Sequence, residues 1–305
     1  MLKYILKRFA LTIVTLFFII LVTFSLMHAV PGGPFSPERP LPPAVVAALE
    51  ERYNLNAPLH QQFFGYMGGL FRFDLGPSIQ FTGRTVNELI ASGAPHSLRL
   101  GLVTIVFVLL AAVPMGIVAA LKNNKWQDML LMALATMGVT IPSFVLATVM
   151  IYVFSFRLDL TPTFGLYTWS SYILPVIALG GFSLSFLARL MRSSLLEVMG
   201  QDYIRTARAK GISEVRVIVK HGLRNALIPM ITVLGPTIAA LMVGSFVVER
   251  IFAIPGMGSH FVTGIANRDY TTIMGMNIFF ATFLLVMVFV VDLFYCLIDP
   301  RIKFE

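Results

Sequence analysis

Few residues of this sequence have the chemistry to catalyse, to ligate a metal or to relay a proton. The five histidines, His28, His60, His96, His221 and His260, are scattered along the chain and stand at none of the short spacings a metal site uses. The single cysteine, Cys296, excludes an internal disulfide framework and a cysteine-based metal site. No Gly-x-x-x-x-Gly-Lys-Ser/Thr run is present, so the chain has no phosphate loop with which to bind ATP alone. Asp292 lies inside the last apolar run. A carboxylate in hydrocarbon is costly and faces protein or water. Its place a turn or two from the end of that run favours a partner for a basic group over a proton site. Thr140, Ser143, Thr232, Thr237, Ser245 and Asn277 are polar side chains within apolar runs and are candidates to line a pathway. The densest polar chemistry is a basic stretch with eight Lys and Arg between Arg189 and Ile228.

The elements that must carry these residues are membrane spans. The 305 residues are 57% hydrophobic and only 12% charged, about half the charged fraction of a soluble domain. Crossing a hydrocarbon core of about 30 Å takes roughly 20 helical residues. Six runs are long enough or nearly so: Phe9–Val30, Leu98–Leu121, Met129–Phe156, Tyr172–Ala188, Pro229–Val248 and Ile273–Ile298. Backbone groups in lipid must be satisfied internally, which predicts an all-α integral membrane fold of six transmembrane helices. The first run is too long for the apolar core of a secretory signal, about 7–15 residues, and reads as an uncleaved anchor.

Six spans place both termini on one side, and fifteen of the 23 Lys and Arg fall there. The positive-inside rule makes that side the cytoplasm. The net charge of +8 is thereby a matter of topology and lipid contact, not of nucleic-acid binding. The chain divides into residues 1–97, a first span plus an outside segment, and residues 98–305, a five-helix core with a cytoplasmic loop at 189–228.

The outside segment opens with a Pro- and Gly-rich stretch, Pro31–Pro43, read as extended. Pro43 can start a short helix to Arg52, closed by Asn54. Pro58 can start a second, with Leu59, Phe63, Met67 and Leu70 on one face. That face predicts a cap on the bundle or on the membrane surface.

The basic loop carries more information. Gly200 can end an extension of the fourth span. Asp202 can cap a short helix to Lys210. Gly211 can supply a left-handed stop, and Ser213 can cap the helix that leads into the fifth span. Two short helices meeting at a glycine elbow form a knuckle for a partner to grip, and the small residues Thr206, Ala207 and Ala209 allow close approach.

Tyr203-Ile-Arg-Thr-Ala-Arg-Ala-Lys-Gly211, followed by His221-Gly-Leu-Arg-Asn-Ala-Leu-Ile-Pro229, resembles the coupling loop of ATP-binding-cassette import permeases, in particular the oligopeptide, dipeptide and nickel branch. Arg205-Thr206-Ala207 occupies the Glu-Ala-Ala position of the general family pattern, and Leu223-Arg224 stands where Leu-Pro is usual. Pro31-Gly-Gly-Pro-Phe35, Phe73-Asp-Leu-Gly-Pro-Ser78, Gly244–Gly258, Arg268-Asp-Tyr270 and Asp299-Pro-Arg301 resemble the first permease subunit of oligopeptide systems.

The resemblance implies a MetI-like type I importer permease fold. It implies a subunit that is not itself an enzyme and that translocates oligopeptides across a bacterial inner membrane. The expected partners are a second homologous permease, two cytoplasmic ATP-binding subunits and a periplasmic or lipid-anchored peptide-binding protein, with membrane lipid around them. No cofactor is expected on this chain; ATP and Mg belong to the ATPase partners. Asp202, Tyr203, Arg205, Thr206, Ala207, Arg208, Ala209, Lys210 and Gly211 are implied to contact the ATPase. Dipeptides or nickel are alternative substrates for the same kind of permease. An ion-driven secondary transporter is the rival mechanism, and it would usually show repeated halves and midplane charges.

Overall fold

A computed structural model describes residues 2–30, 51, 56–81 and 83–298, without the side chains of 2–4, 292 and 294–298. The Pro31–Pro43 stretch, the short helix after it apart from Glu51, Asn54 and the Asp299-Pro-Arg301 tail lie outside the described residues, as do the side chains of Asp292 and Cys296. Among the described residues five helices are long and apolar enough to cross a membrane: Ile5–Ala29, Val86–Leu121, Ser170–Met199, Ile228–Ile251 and Tyr270–Val291. A sixth span arises if the bent pair Trp126–Thr140 and Ser143–Arg157 is counted as one.

The second and fourth spans are longer than the apolar runs that announce them. The second begins at Val86 and the fourth continues to Met199. Their polar extensions satisfy the backbone helically whether or not they lie in lipid. The third predicted span is not a straight helix. Its halves diverge by 106°, and Pro142 stands at the break with Ile141 extended before it (φ −90°, ψ 119°). Proline has no N–H to give the ladder, and it drives the preceding residue out of the helical region. Pro175 and Pro236, by contrast, are accommodated inside their helices.

The fifth span is also corrected. Its helix, Ile228–Val243, stops at Gly244, whose φ of +83° and ψ of 178° suit only glycine. Ser245 restarts the chain, its hydroxyl accepting the Val248 N–H at 3.3 Å to open Phe246–Ile251. This restart carries Glu249 into the candidate span, completely buried. Glu249 is therefore an acidic residue buried within a candidate span, whereas the last candidate span ends at Val291, one residue before Asp292.

The chain forms two compact units. Among the described residues, the first contains those up to Ser97 and Pro255–Phe289, and the second contains Leu98–Ile254 with residues 290–298. The core of the first is built from Ile20 and Phe24 of the N-terminal helix, Phe63 of the helix Leu59–Leu70, and Met274 and Ile278. Of the face predicted for Leu59–Leu70, Phe63, Met67 and Leu70 join this core, while Leu59 is exposed. Asn277 donates to Thr23 Oγ1 at 2.7 Å and so ties the last long helix to the first.

In the second unit the helices approach closely through small residues. Ala112, Gly116 and Ala120 are buried. A Cβ on Gly116 would strike Met191 and the Ala188 carbonyl. One on Gly138 would strike the Gly181 carbonyl and Ser185. In lipid, such close packing takes the place of hydrophobic sorting.

The first unit is pinned at one end by a buried carboxylate. Asp269 accepts hydrogen bonds from Ser78 Oγ (2.5 Å), Thr272 Oγ1 (2.7 Å), Thr271 Oγ1 (2.9 Å) and the backbone N–H groups of Ile79, Gln80 and Thr272. Burial opposes its ionisation. The donors outweigh burial and hold the carboxyl below the usual aspartate range. A depressed folded pKa contributes stability above the unfolded value of about 4, and that contribution is lost as pH falls through the lower folded value. Asp269→Asn should thus cost about 2 kcal/mol at neutral pH by orphaning buried donors. Thermal unfolding of the detergent-solubilised protein checks this: the gap between wild type and variant should close in strong acid.

Candidate functional site

The elbow seen in the basic loop is present in three dimensions. The helix Ser170–Met199 ends at Gly200, whose φ is negative, so glycine here needs no left-handed geometry. The helix Asp202–Ala209 follows, with Gln201 rather than Asp202 in the capping position. Asp202 is instead its first residue, and its carboxylate receives Arg205 Nη1 at 3.4 Å. An acidic side chain in a first turn is favoured by the helix dipole even without a capping bond. Lys210 closes the helix, and Gly211 turns the chain with φ +74°. Ser213 occupies the next capping position without a side-chain bond.

The helix Asp202–Ala209 has two faces. Ile204 and Ala207 are buried against Val217, with Met199 and Ile212 packed alongside. Asp202, Tyr203, Arg205, Thr206, Arg208, Ala209, Lys210 and Gly211 are all exposed. The elbow is braced on both sides of the glycine. Arg208 donates to both Glu214 oxygens, at 3.0 and 2.6 Å, and holds that carboxyl below the usual glutamate range. Tyr203 Oη accepts from Asn225 Nδ2 at 2.7 Å. The result is a short braced knuckle with small, basic and aromatic side chains exposed.

Behind the knuckle, the same helix that ends at Gly200 is clamped. Arg192 donates through Nε to Asp128 Oδ1 at 2.7 Å and through Nη2 to Asp128 Oδ2 at 2.6 Å, and it reaches Asn123 Oδ1 at 2.9 Å. Asp128 also accepts the N–H of Asn124, which is held at φ +60°. The Asp128 side chain is 5% exposed and that of Arg192 25%. Sequence reading counted Arg192 only as one positive charge among eight. Only folding brings it to Asp128, and nothing local marks the pair.

The candidate pathway residues are dispersed. Thr140, Thr232 and Thr237 each return a hydroxyl to the carbonyl four residues earlier, at 3.0, 3.1 and 2.7 Å, which satisfies them within their own helices. Ser143 and Thr140 are exposed. Ser245 caps a helix, and Asn277 is bonded to Thr23 within the first unit. Among the described residues no group of three or more His, Cys, Asp and Glu could hold a metal ion.

Residues 112–304 match the binding-protein-dependent transport system inner membrane component family, and residues 1–82 match the N-terminal region of such membrane components. The chain belongs to that family. It is a transport subunit, not an enzyme. It is 46% identical to the dipeptide transport system permease protein of Bacillus subtilis, over 99% of this chain and 98% of that one. It is 42% identical to the oligopeptide transport system permease protein of Haemophilus influenzae, over the whole of both. Among solved structures, the inward-facing MetNI methionine ABC transporter covers 71% of this chain and 97% of its own matched chain, at 18% identity and a TM-score of 0.53. That likeness shows a MetI-type permease fold.

The glycine at the elbow of this permease is required by its backbone alone, since a Cβ there would meet nothing within 4 Å. Gly211→Val should strain the turn by about 1–3 kcal/mol, and Gly211→Asn by less, because asparagine tolerates the left-handed region. Limited tryptic cleavage at Lys210 in the membrane-inserted protein should accelerate in the order wild type, Asn, Val.

Proposed function

We propose that this permease is one of two channel-forming membrane subunits of an ATP-driven importer, and that it translocates oligopeptides. The observation that carries the reading is the helix Asp202–Ala209. It spends only Ile204 and Ala207 on its own chain, leaves the other side chains exposed and ends on a left-handed glycine. A rigid, outward-facing knuckle of this kind transmits force without chemistry of its own. Asp202, Tyr203, Arg205, Thr206, Ala207, Arg208, Ala209, Lys210 and Gly211 form the part presented to an ATPase, with Ala207 lining its inner side.

In this reading both termini and the knuckle are cytoplasmic, supported by the concentration of Lys and Arg on that side. The membrane is a bacterial inner membrane. A second homologous permease completes the channel, two ATP-binding subunits hold ATP and Mg, and a peptide-binding protein delivers substrate from outside. Residues 1–97 supply the first span and outside segment, and residues 98–305 the permease core. Thr140, Ser143, Thr232, Thr237, Ser245 and Asn277 remain the polar candidates for the pathway. The identity to a dipeptide permease favours one second reading, in which the cargo is two residues long.

Reconstitution of the permease with its partner permease, ATPases and binding protein tests both. Labelled peptides of two to five residues are offered outside, with ATP on the knuckle side. Import of the longer peptides that requires ATP and every partner is expected. Import restricted to dipeptides would select the second reading. Import by the single chain on an ion gradient would refute the importer assignment.

A further inference from the structure

We propose that the Arg192–Asp128 ion pair is a positioning element that carries force from the knuckle into the broken third span. This rests on the reading that an ATPase grips Asp202–Gly211. The helix Ser170–Met199 leads directly into the knuckle through Gly200 and Gln201. Arg192 lies seven residues before Met199, about 10 Å along the helix axis. Asp128 lies in the first turn of Trp126–Thr140, the half-helix whose far end is the 106° break at Pro142.

Three of the contacts between these two helices mark points along their shared length. The guanidinium grips Asp128 with two short bonds at one end. The Ser185 hydroxyl donates to the Ala135 carbonyl at the middle. Gly138 backs onto Gly181 beside the break. The last two contacts involve backbone or uncharged groups and hold the helices close. The two-pronged Arg192–Asp128 pair also fixes rotation and sliding, because a planar guanidinium matches a carboxylate in one orientation. Asn123 and the N–H of Asn124 complete the shell around the pair, so the loop between the second and third spans is held to the same point. A displacement of the knuckle end is therefore delivered to Trp126–Thr140 as a rigid body, and through it to the bend.

The test uses the complete reconstituted transporter and reads peptide imported per ATP hydrolysed. Arg192→Gln and Asp128→Asn should keep ATP hydrolysis and lower that ratio by about tenfold, within the span of typical coupling free energies. The charge-swapped double variant Asp128→Arg/Arg192→Asp should recover much of the ratio, which a role limited to bulk stability does not require. Arg192→Lys keeps the charge without the two-pronged grip and should give an intermediate ratio. Should either neutral variant fail to assemble, Arg192→Lys decides: a reduced ratio with intact hydrolysis supports the clamp, and a wild-type ratio overturns it. A wild-type ratio in the neutral variants also overturns it. Failure of the underlying importer reading would show differently, as absence of ATP-driven import by the unaltered chain.

Discussion

A backbone amide in hydrocarbon has no water to turn to, and every long element of this permease answers that constraint. The apolar runs are helices, whose N–H and C=O groups are paired within the segment. Where the ladder is interrupted, nearby groups take over. At the third-span break, the Pro142 carbonyl accepts the N–H groups of Val145 and Leu146. At the fifth-span break, the Ser245 hydroxyl accepts the Val248 N–H. Threonine hydroxyls within the spans return to carbonyls of their own helices. The same constraint explains why polar side chains in spans are ambiguous markers of a pathway: a hydroxyl satisfied by its own helix can face lipid as readily as substrate.

With hydrophobic sorting weakened in lipid, the arrangement of helices falls to close contacts and to polar bonds. Gly116 and Gly138 admit neighbouring helices to distances that a Cβ would forbid. Buried polar groups then fix what shape complementarity leaves free. Asp269 gathers donors from Ser78–Gln80 and from its own helix start. Asp128 gathers Arg192 and the Asn124 N–H. Each carboxylate is surrounded by donors. That is the condition under which a buried charge specifies one arrangement instead of destabilising all of them.

The knuckle follows a different logic. It has little apolar surface to bury, and Ile204, Ala207 and Val217 form a core of three residues. Its shape is set by local devices: the left-handed glycine, the Arg208–Glu214 bridge and the Asn225–Tyr203 bond. A surface built this way keeps its shape while leaving its outward side chains uncommitted, as a docking element requires.

What the sequence by itself determined is what depends on neighbours along the chain. Apolar runs marked the spans, Lys and Arg favoured one orientation, and Gly211 marked the elbow that its φ of +74° confirms. Composition alone excluded a soluble fold. The tertiary structure decided what depends on which helices meet. Arg192 finds Asp128 across 64 positions, and Ser78 finds Asp269 across 191. Residues 255–289 group with the N-terminal residues. The 106° break turned a continuous apolar run into two helices: Pro142 stands at that break, but proline alone does not decide it, since Pro175 and Pro236 lie within continuous helices. Glu249 escaped sequence reading because its burial depends on the helix restarting after Gly244 and packing against the rest of its unit. Local rules govern backbone conformation and solvent preference, whereas the partners of a buried charge are set by contacts that exist only after the helices have packed.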